Sequence, residues 1–359
     1  MIVKNEAPVI KRCLETVKPW INTWVILDTG SNDGTQTILK ECMRSIPGEL
    51  IERPWVDFSH NRNETLSIAK HKADYSLFID ADEQFIQYRN LNKLPTDKDV
   101  YFIKVNERKS FHQRAFLLNN ASDIRWQGVL HECLVSNKKY EEGFFDGGEI
   151  LSLTEQGNRG SDPQKYLKDA LVLENALKND PQNSRYLFFL AQSYSNAKEY
   201  ALALRAYEKR SQIGGSKEEI FFSLFMVGCL QDQLHYDPQI CAKSFFTAHK
   251  ICPYRHEPLY GISLYYIKNK KFNEAYKLLS KCNELICFED SIFYQTHIKN
   301  HLIPYLLIQC CYQLKMYQKC FSLGKILLAQ PDLPEEIFQN VKLQLSILKN
   351  EIPALEIQL

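Results

Sequence analysis

In the second half of the chain, similar side chains return at a fixed spacing, and that spacing restricts the fold more than any other feature. Leu190, Ala191, Tyr194, Tyr200, Ala203 and Tyr207 reappear 72 positions later as Ile262, Ser263, Tyr266, Phe272, Ala275 and Leu279, twice a period of about 36. A third copy reads Leu307, Ile308, Cys311, Tyr317, Cys320 and Gly324, and a fainter one holds Val227, Gly228, Ala242 and Phe246. Large, small and aromatic residues on this register let one helix hairpin stack on the next. Asp180-Pro181, Cys252-Pro253 and Gln330-Pro331 fall where such hairpins end. An ordinary helical bundle is the competing reading of the same stretch.

The first 150 or so residues follow another grammar. Short apolar runs (Met1-Ile-Val, Trp24 to Leu27, Leu50-Ile51, Tyr75 to Ile79) alternate with helical periods starting near Pro8, Thr35 and His60. Asn5 is the expected N-cap of the first helix. Strand–helix alternation predicts a mainly parallel mixed sheet covered by helices on both faces. The 359 residues therefore divide into an α/β domain over 1–158 and an all-α repeat domain over 159–359.

Composition narrows the function. Lys+Arg 44 against Asp+Glu 43 leaves +1, without the basic surplus a nucleic-acid scaffold needs. Eleven scattered cysteines with no Cys-x-x-Cys argue against a zinc ribbon or disulfide framework and for a reducing, cytoplasmic compartment. No apolar run approaches twenty residues, so no transmembrane segment is expected and the chain should be soluble.

Four segments carry chemistry. Phe78-Ile79-Asp80-Ala81-Asp82-Glu83 ends an apolar strand in carboxylates at i and i+2, a pair suited to a divalent cation on a diphosphate. Ligands of open α/β sheets gather at that end of the strands. Asp97-Lys98-Asp99 has the same three-residue pattern but lies before a strand and reads as a solvated turn. Leu27 to Thr35 follows a strand and opens a helix; Gly30 and Gly34 permit tight turns, and Asp28 is placed to accept hydrogen bonds from a base or ribose. It is neither a Walker loop nor a dinucleotide fingerprint. In Phe58 to Glu64, Arg62 can pair with Asp28 or Asp80 or lie against a nucleotide, unless this is a plain helix start capped by Ser59. In Arg125 to Glu132, His131 and Glu132 converge only at a bend, as metal ligand and carboxylate base respectively.

Taken in order, Met1-Ile-Val-Lys-Asn-Glu6, Asp28-Thr-Gly-Ser-Asn-Asp-Gly-Thr35, Arg62-Asn63, Asp80-Ala-Asp82 and Trp126-x-Gly128-x-x-His131-Glu132 resemble the family 2 glycosyltransferases. The helical part resembles tetratricopeptide repeats, whose period is about 34. The first resemblance implies a GT-A fold, a Rossmann-like domain performing inverting transfer from a nucleotide-diphosphate sugar, most plausibly a UDP-sugar, with manganese or magnesium. It implies Asp28 at the base, Glu6 and Arg62 as donor contacts, and Asp80 and Asp82 as the Asp-x-Asp pair with Asp82 the direct ligand. His131 is implied as a further metal or diphosphate contact and Glu132 as the base.

The expected acceptor is a protein, peptide or glycan, held by the repeats through Phe188, Gln192, Ser195, Tyr260 and Asn269. Oligomerisation is left open. The competing reading is a catalytically weak or inactive glycosyltransferase-like protein that acts as an interaction module. A nucleotidyltransferase on a similar fold would need a Gly-rich, basic phosphate loop near the start, which is not visible.

Overall fold

A computed structural model describes residues 1–88, 94–107, 110–282, 285 and 294–351. The chain forms two compact units, Met1–Ala176 and Leu177–Leu359.

The first unit runs β1 (Ile2–Val3), α1 (Ile10–Val17), β2 (Trp24–Asp28), α2 (Thr35–Met43), β3 (Gly48–Glu52), α3 (Phe58–Ala69), β4 (Tyr75–Leu77), β5 (Glu83–Gln87), β6 (Val100–Glu107), β7 (Ser110–Asn119), β8 (Arg125–Gln127), β9 (Cys133–Val135) and β10 (Glu142–Ser152), and enters α4 (Lys165–Asn179). β1, β2 and β3 pair in parallel. A second sheet has the order β4-β7-β6-β10-β5, where only β6 and β10 are parallel. The pairing is mixed as expected but not mainly parallel: parallel pairs are confined to the opening strands and to β6 with β10, and the other pairs of the larger sheet are antiparallel.

Successive side chains leave a strand on opposite faces, so neighbours in sequence belong to different cores. Ile79 packs with Cys13 and Val17 of α1 and with Phe85, Ile103, Phe116 and Phe145, whereas Phe78 packs with Leu66 of α3 and with Val100, Leu118 and Trp126. Helices thus lie on both faces. A third cluster joins Val9, Ile10 and Leu14 to Ile26 of β2 and Leu39 and Met43 of α2. Asp57 caps α3, its Oδ1 accepting from the backbone N–H of His60 at 2.7 Å.

Asn5 is not an N-cap. It sits at φ 56°, in the left-handed region, and α1 begins at Ile10. Its side chain is spent on the opposite loop, where Oδ1 accepts from the N–H of Asn32 at 2.8 Å. A long-range partner outcompeted the local capping geometry.

The second unit is entirely helical among the described residues: α5 (Ser184–Asn196), α6 (Tyr200–Ser211), α7 (Lys217–Gln233), α8 (Pro238–Ile251), α9 (Glu257–Lys268), α10 (Phe272–Cys282), α11 (Ile303–Gln313), α12 (Tyr317–Leu328) and α13 (Glu335–Glu351). The repeat is visible in its turns. Lys198, His235, Lys270 and Lys315 follow α5, α7, α9 and α11, each with φ between 58° and 63°. At each turn the next N–H reaches back to the helix: Glu199 to Tyr194 O, Tyr236 to Gln231 O, Lys271 to Tyr266 O and Met316 to Cys311 O, at 2.8–2.9 Å. This left-handed stop satisfies carbonyls the helix would otherwise leave bare. The recurring small positions Ala203, Ala275 and Cys320 are fully buried between helices.

Phe188 does not belong to a ligand-binding face. Its ring is buried against Phe189, Tyr207 and Phe222. Among the described residues, no helix is long and apolar enough to cross a membrane, and the described cysteines are thiols, most of them buried.

Phe245 of α8 is held between two glycines. A Cβ on Gly261 would stand 2.5 Å from Phe245 Cδ2, and one on Gly228 would stand 2.6 Å from Cε1. Overpacking at such a contact costs about 1–3 kcal/mol. Gly261→Ala is expected to lower the urea midpoint of the second unit accordingly, and adding Phe245→Leu to recover part of the loss. Wild-type stability in Gly261→Ala would show that this contact does not limit the packing.

Candidate active site

The loops after β1 and β2 are joined by backbone-to-side-chain hydrogen bonds. The N–H of Asn5 donates to Ser31 Oγ, that of Glu6 to Thr35 Oγ1 and that of Ala7 to Asp33 Oδ2, at 2.8–2.9 Å. Asp28 is fully buried; its Oδ1 accepts from Gly30 and Ser31 N–H at 2.7 Å, and its Oδ2 accepts no hydrogen bond. The turn is possible because Gly30 has φ 102°.

Beyond β4 the chain delivers Asp80, Asp82 and Glu83 to this edge. Asp80 is shared by two arginines: Arg62 Nη2 at 2.9 Å from Oδ1, and Arg114 Nη1 at 3.2 Å from Oδ2. Burial would raise its pKa, but Arg62 and Arg114 prevail and hold the carboxyl at about 2. Arg114, from β7, also forks onto buried Glu83 at 2.5 and 2.7 Å. Asp82 differs. Burial, reinforced by the charge of Asp80, raises its pKa, and no basic side chain forms a salt bridge with it among the described residues. Glu6 behaves alike: burial first, then Asp82, Asp33 and Asp80, push it up to about 7, against one hydrogen bond from Asn158 N–H at 3.3 Å.

Arg62 and Asn63 have separate tasks. Asn63 Nδ2 donates to Trp126 O and its Oδ1 accepts from Trp126 N–H, both at 2.8 Å, so one amide substitutes for a strand edge. Arg62 lies over the Trp126 ring and reaches Glu132, its Nε 2.6 Å from Oε1 but not aligned as a hydrogen bond. His131, at φ 52°, and Gly128, at φ 122°, bend this segment. The bend brings Glu132 inward to Arg62 and leaves His131 exposed.

The structure therefore gathers Glu6, Arg62, Asp80, Asp82 and Glu132 around one set of charges, with Asp28 beneath the adjoining turn. No group of three His, Cys, Asp or Glu side chains with metal-holding geometry is present among the described residues. Asp82 and Glu6 are the two carboxylates of this set whose proton affinity is raised, by burial first and then by neighbouring carboxylates. Sequence reasoning missed Arg114. Its signal was a single arginine before the apolar run Ala115 to Leu118, but nothing local indicated which acid it would meet. Asp97, as expected, lies apart, held by the Tyr101 hydroxyl. A cleft of about 710 Å3, between Trp24–Ile26 and Tyr75–Ile79 and of mixed polar and apolar lining, contains none of these site residues.

The Glu6 carboxyl gives a pH signature. Its pKa in the folded chain is about 7 against an ordinary 4.5, so ionisation penalises the fold and stability falls as pH rises through that window. In buffer with a chelator, Glu6→Gln is expected to flatten part of that fall, followed by urea midpoints across the window. An unchanged slope would remove Glu6 from the charged cluster.

Residues 1–95 match the family model described as "Glycosyl transferase family 2". A TPR repeat-containing protein of Synechococcus elongatus is 33% identical over 141 residues, covering 37% of this chain and 34% of that one. The SPbeta prophage-derived glycosyltransferase SunS of Bacillus subtilis is 25% identical over 203 residues, covering 53% of this chain and 47% of the relative. The chain thus spans a third to a half of the length of these curated relatives. Among solved structures, S. aureus TarS is similar at a TM-score of 0.34 and 12% identity over 70% of this chain and 52% of that one. YrrB, a TPR protein, is similar at 0.38 and 15% over 51% and 86%. The match to glycosyl transferase family 2 thus falls on residues 1–95, the stretch that holds Glu6, Asp28, Arg62, Asp80 and Asp82.

Proposed function

We propose that the protein is an inverting, metal-dependent glycosyltransferase that moves a sugar from a nucleotide-diphosphate donor, a UDP-sugar, to a protein, peptide or glycan acceptor in the reducing cytoplasm. The observation that carries this reading is the unequal treatment of two neighbouring carboxylates: Asp80 is paired with both Arg62 and Arg114, whereas Asp82, with no salt-bridge partner among the described residues, has its proton affinity raised by burial and by Asp80, and Glu6 has its own raised by burial and by Asp82, Asp33 and Asp80. A purely structural acidic cluster would gain by pairing all its members. This one keeps two acids short of a cation.

In this reading Asp82 holds manganese or magnesium, with Asp80 and Glu6 behind it and His131 as a further contact from the rim. When bound, the cation neutralises charge gathering on the departing diphosphate. The buried Oδ2 of Asp28 is an acceptor kept for an N–H of the base, since a buried acceptor without a partner is costly.

Arg62 divides its charge between Asp80 and Glu132, and its poorly aligned contact to Glu132 is the weaker one. A donor diphosphate competes for this guanidinium and loosens its hold on Glu132. The Glu132 carboxylate then takes the proton of the acceptor group as that group attacks the sugar on the face away from the diphosphate. No covalent enzyme intermediate is needed.

Asp82→Asn is expected to reduce metal-dependent UDP-sugar turnover by about a hundredfold or more, while Asp97→Asn leaves it unchanged. Equal activity of the two variants would sink the metal assignment. Glu132→Gln is expected to retain donor binding and lose transfer, and His131→Ala to weaken the complex with UDP and manganese. Calorimetry beside a transfer assay separates these effects, and wild-type transfer by Glu132→Gln would place the base elsewhere.

A further inference from the structure

A second, smaller pocket lies in the first unit beside the acidic centre. It has a volume of about 230 Å3 and is walled by Trp55 to Phe58, by Val129 and Leu130, and by one side of α4 up to Val172. Two of its walls lead directly to the site. Leu130 is followed by His131 and Glu132, and Glu132 contacts Arg62. On the other side Arg159 lines the pocket, Asn158 donates to Glu6, and a Cβ at Gly157 would meet Asp82 Oδ2 at 2.5 Å. Leu130 thus stands two residues before the candidate base, and Arg159 two residues after Gly157, which adjoins the candidate metal ligand Asp82.

Its lining is apolar where it is available and charged where it is already engaged. Trp55 is 42% exposed, Val56 54% and Val172 40%, a concentration of large apolar surface at one mouth. The charges largely cancel among themselves. Arg159 pairs with Asp169 and lies over the Phe58 ring, Lys168 pairs with Asp162, and Asp57 caps α3. Trp55 meets Phe58 edge-on at 4.7 Å, which stiffens that wall. A sugar ring needs converging hydrogen-bond groups that are not committed elsewhere, and this pocket holds most of its charged groups in internal pairs, with Lys165 lying over the Tyr166 ring. An acyl chain needs an elongated groove rather than a hole of this size.

We propose that this pocket receives one apolar side chain of a polypeptide acceptor, next to the residue that is glycosylated. The inference rests on the functional reading above and adds the acceptor class and the rule by which it is chosen: selectivity comes from a bulky apolar neighbour seated against Trp55, Val56 and Val172. Filling the hole also excludes water beside Glu132 when the acceptor is in place.

The test uses the full chain and two acetylated pentapeptides with a central serine, flanked on both sides by leucine in one and by aspartate in the other. Binding is followed by tryptophan fluorescence and calorimetry. The leucine peptide is expected to bind about tenfold more tightly or better, the scale of burying one such side chain. Trp55→Ala and Val172→Asp, both at exposed positions, are expected to bring the ratio to near one, and Trp55→Phe to preserve it. In transfer assays the same substitutions are expected to raise the acceptor KM and leave metal-dependent hydrolysis of the UDP-sugar unchanged. Equal binding of both peptides to the wild type, or a preference that survives both substitutions, overturns the proposal. Donor hydrolysis without peptide preference rejects the pocket alone. Peptide preference without turnover of any donor rejects the glycosyltransferase reading and leaves the pocket standing.

Discussion

Two arginines sharing Asp80 govern the chemistry of the first unit. Several carboxylates, Glu6, Asp80, Asp82, Glu83 and Glu132, are drawn to one edge of the sheets, and crowding them there is unfavourable without compensating charge. Arg114 covers Glu83 and half of Asp80, and Arg62 covers the other half and Glu132. The compensation stops there. Asp82 and Glu6 have no salt-bridge partner among the described residues, and burial with the neighbouring carboxylates raises the proton affinity of both.

The motif residues divide into those that hold the frame and those that meet in the charged cluster. Asn5, Ser31, Asp33 and Thr35 join the first two loops, and Asn63 fastens the segment carrying Trp126. These bonds connect positions distant in sequence, so the spacing within each motif reflects which side chain must reach another loop. Glu6, Arg62 and Glu132 are presented from backbone fixed in this way. Side chains held by rigid neighbours keep their geometry through a reaction far better than side chains on loose loops.

In the second unit the periodic small residues permit close helix packing, and the four left-handed turns set where each hairpin reverses. None of those turns uses glycine. Lys198, His235, Lys270 and Lys315 adopt φ near 60° because the N–H that follows each one closes a bond to the helix behind it. Phe188 shows the opposite case. Its place in the first hairpin suggested a binding face, but three aromatic neighbours pack over it.

The sequence alone determined the opening alternation of strands and helices up to β4, the helical repeat, and the carboxylates that follow β4, whereas β5, β7, β9 and β10 appeared only in the structure. These are local properties: apolar periodicity of two or 3.6 residues and turn chemistry depend on neighbours a few positions apart. The tertiary structure decided what each charge meets. Asp80 met Arg114 across β7, Arg62 chose Asp80 and Glu132 over Asp28, and Asn5 gave up its cap for Asn32. The antiparallel part of the larger sheet was likewise beyond local reading, because a strand's own pattern does not state the direction of its partner. Ion pairs and long-range hydrogen bonds are set by distances in space, and the chain fixes those distances only when both cores have packed.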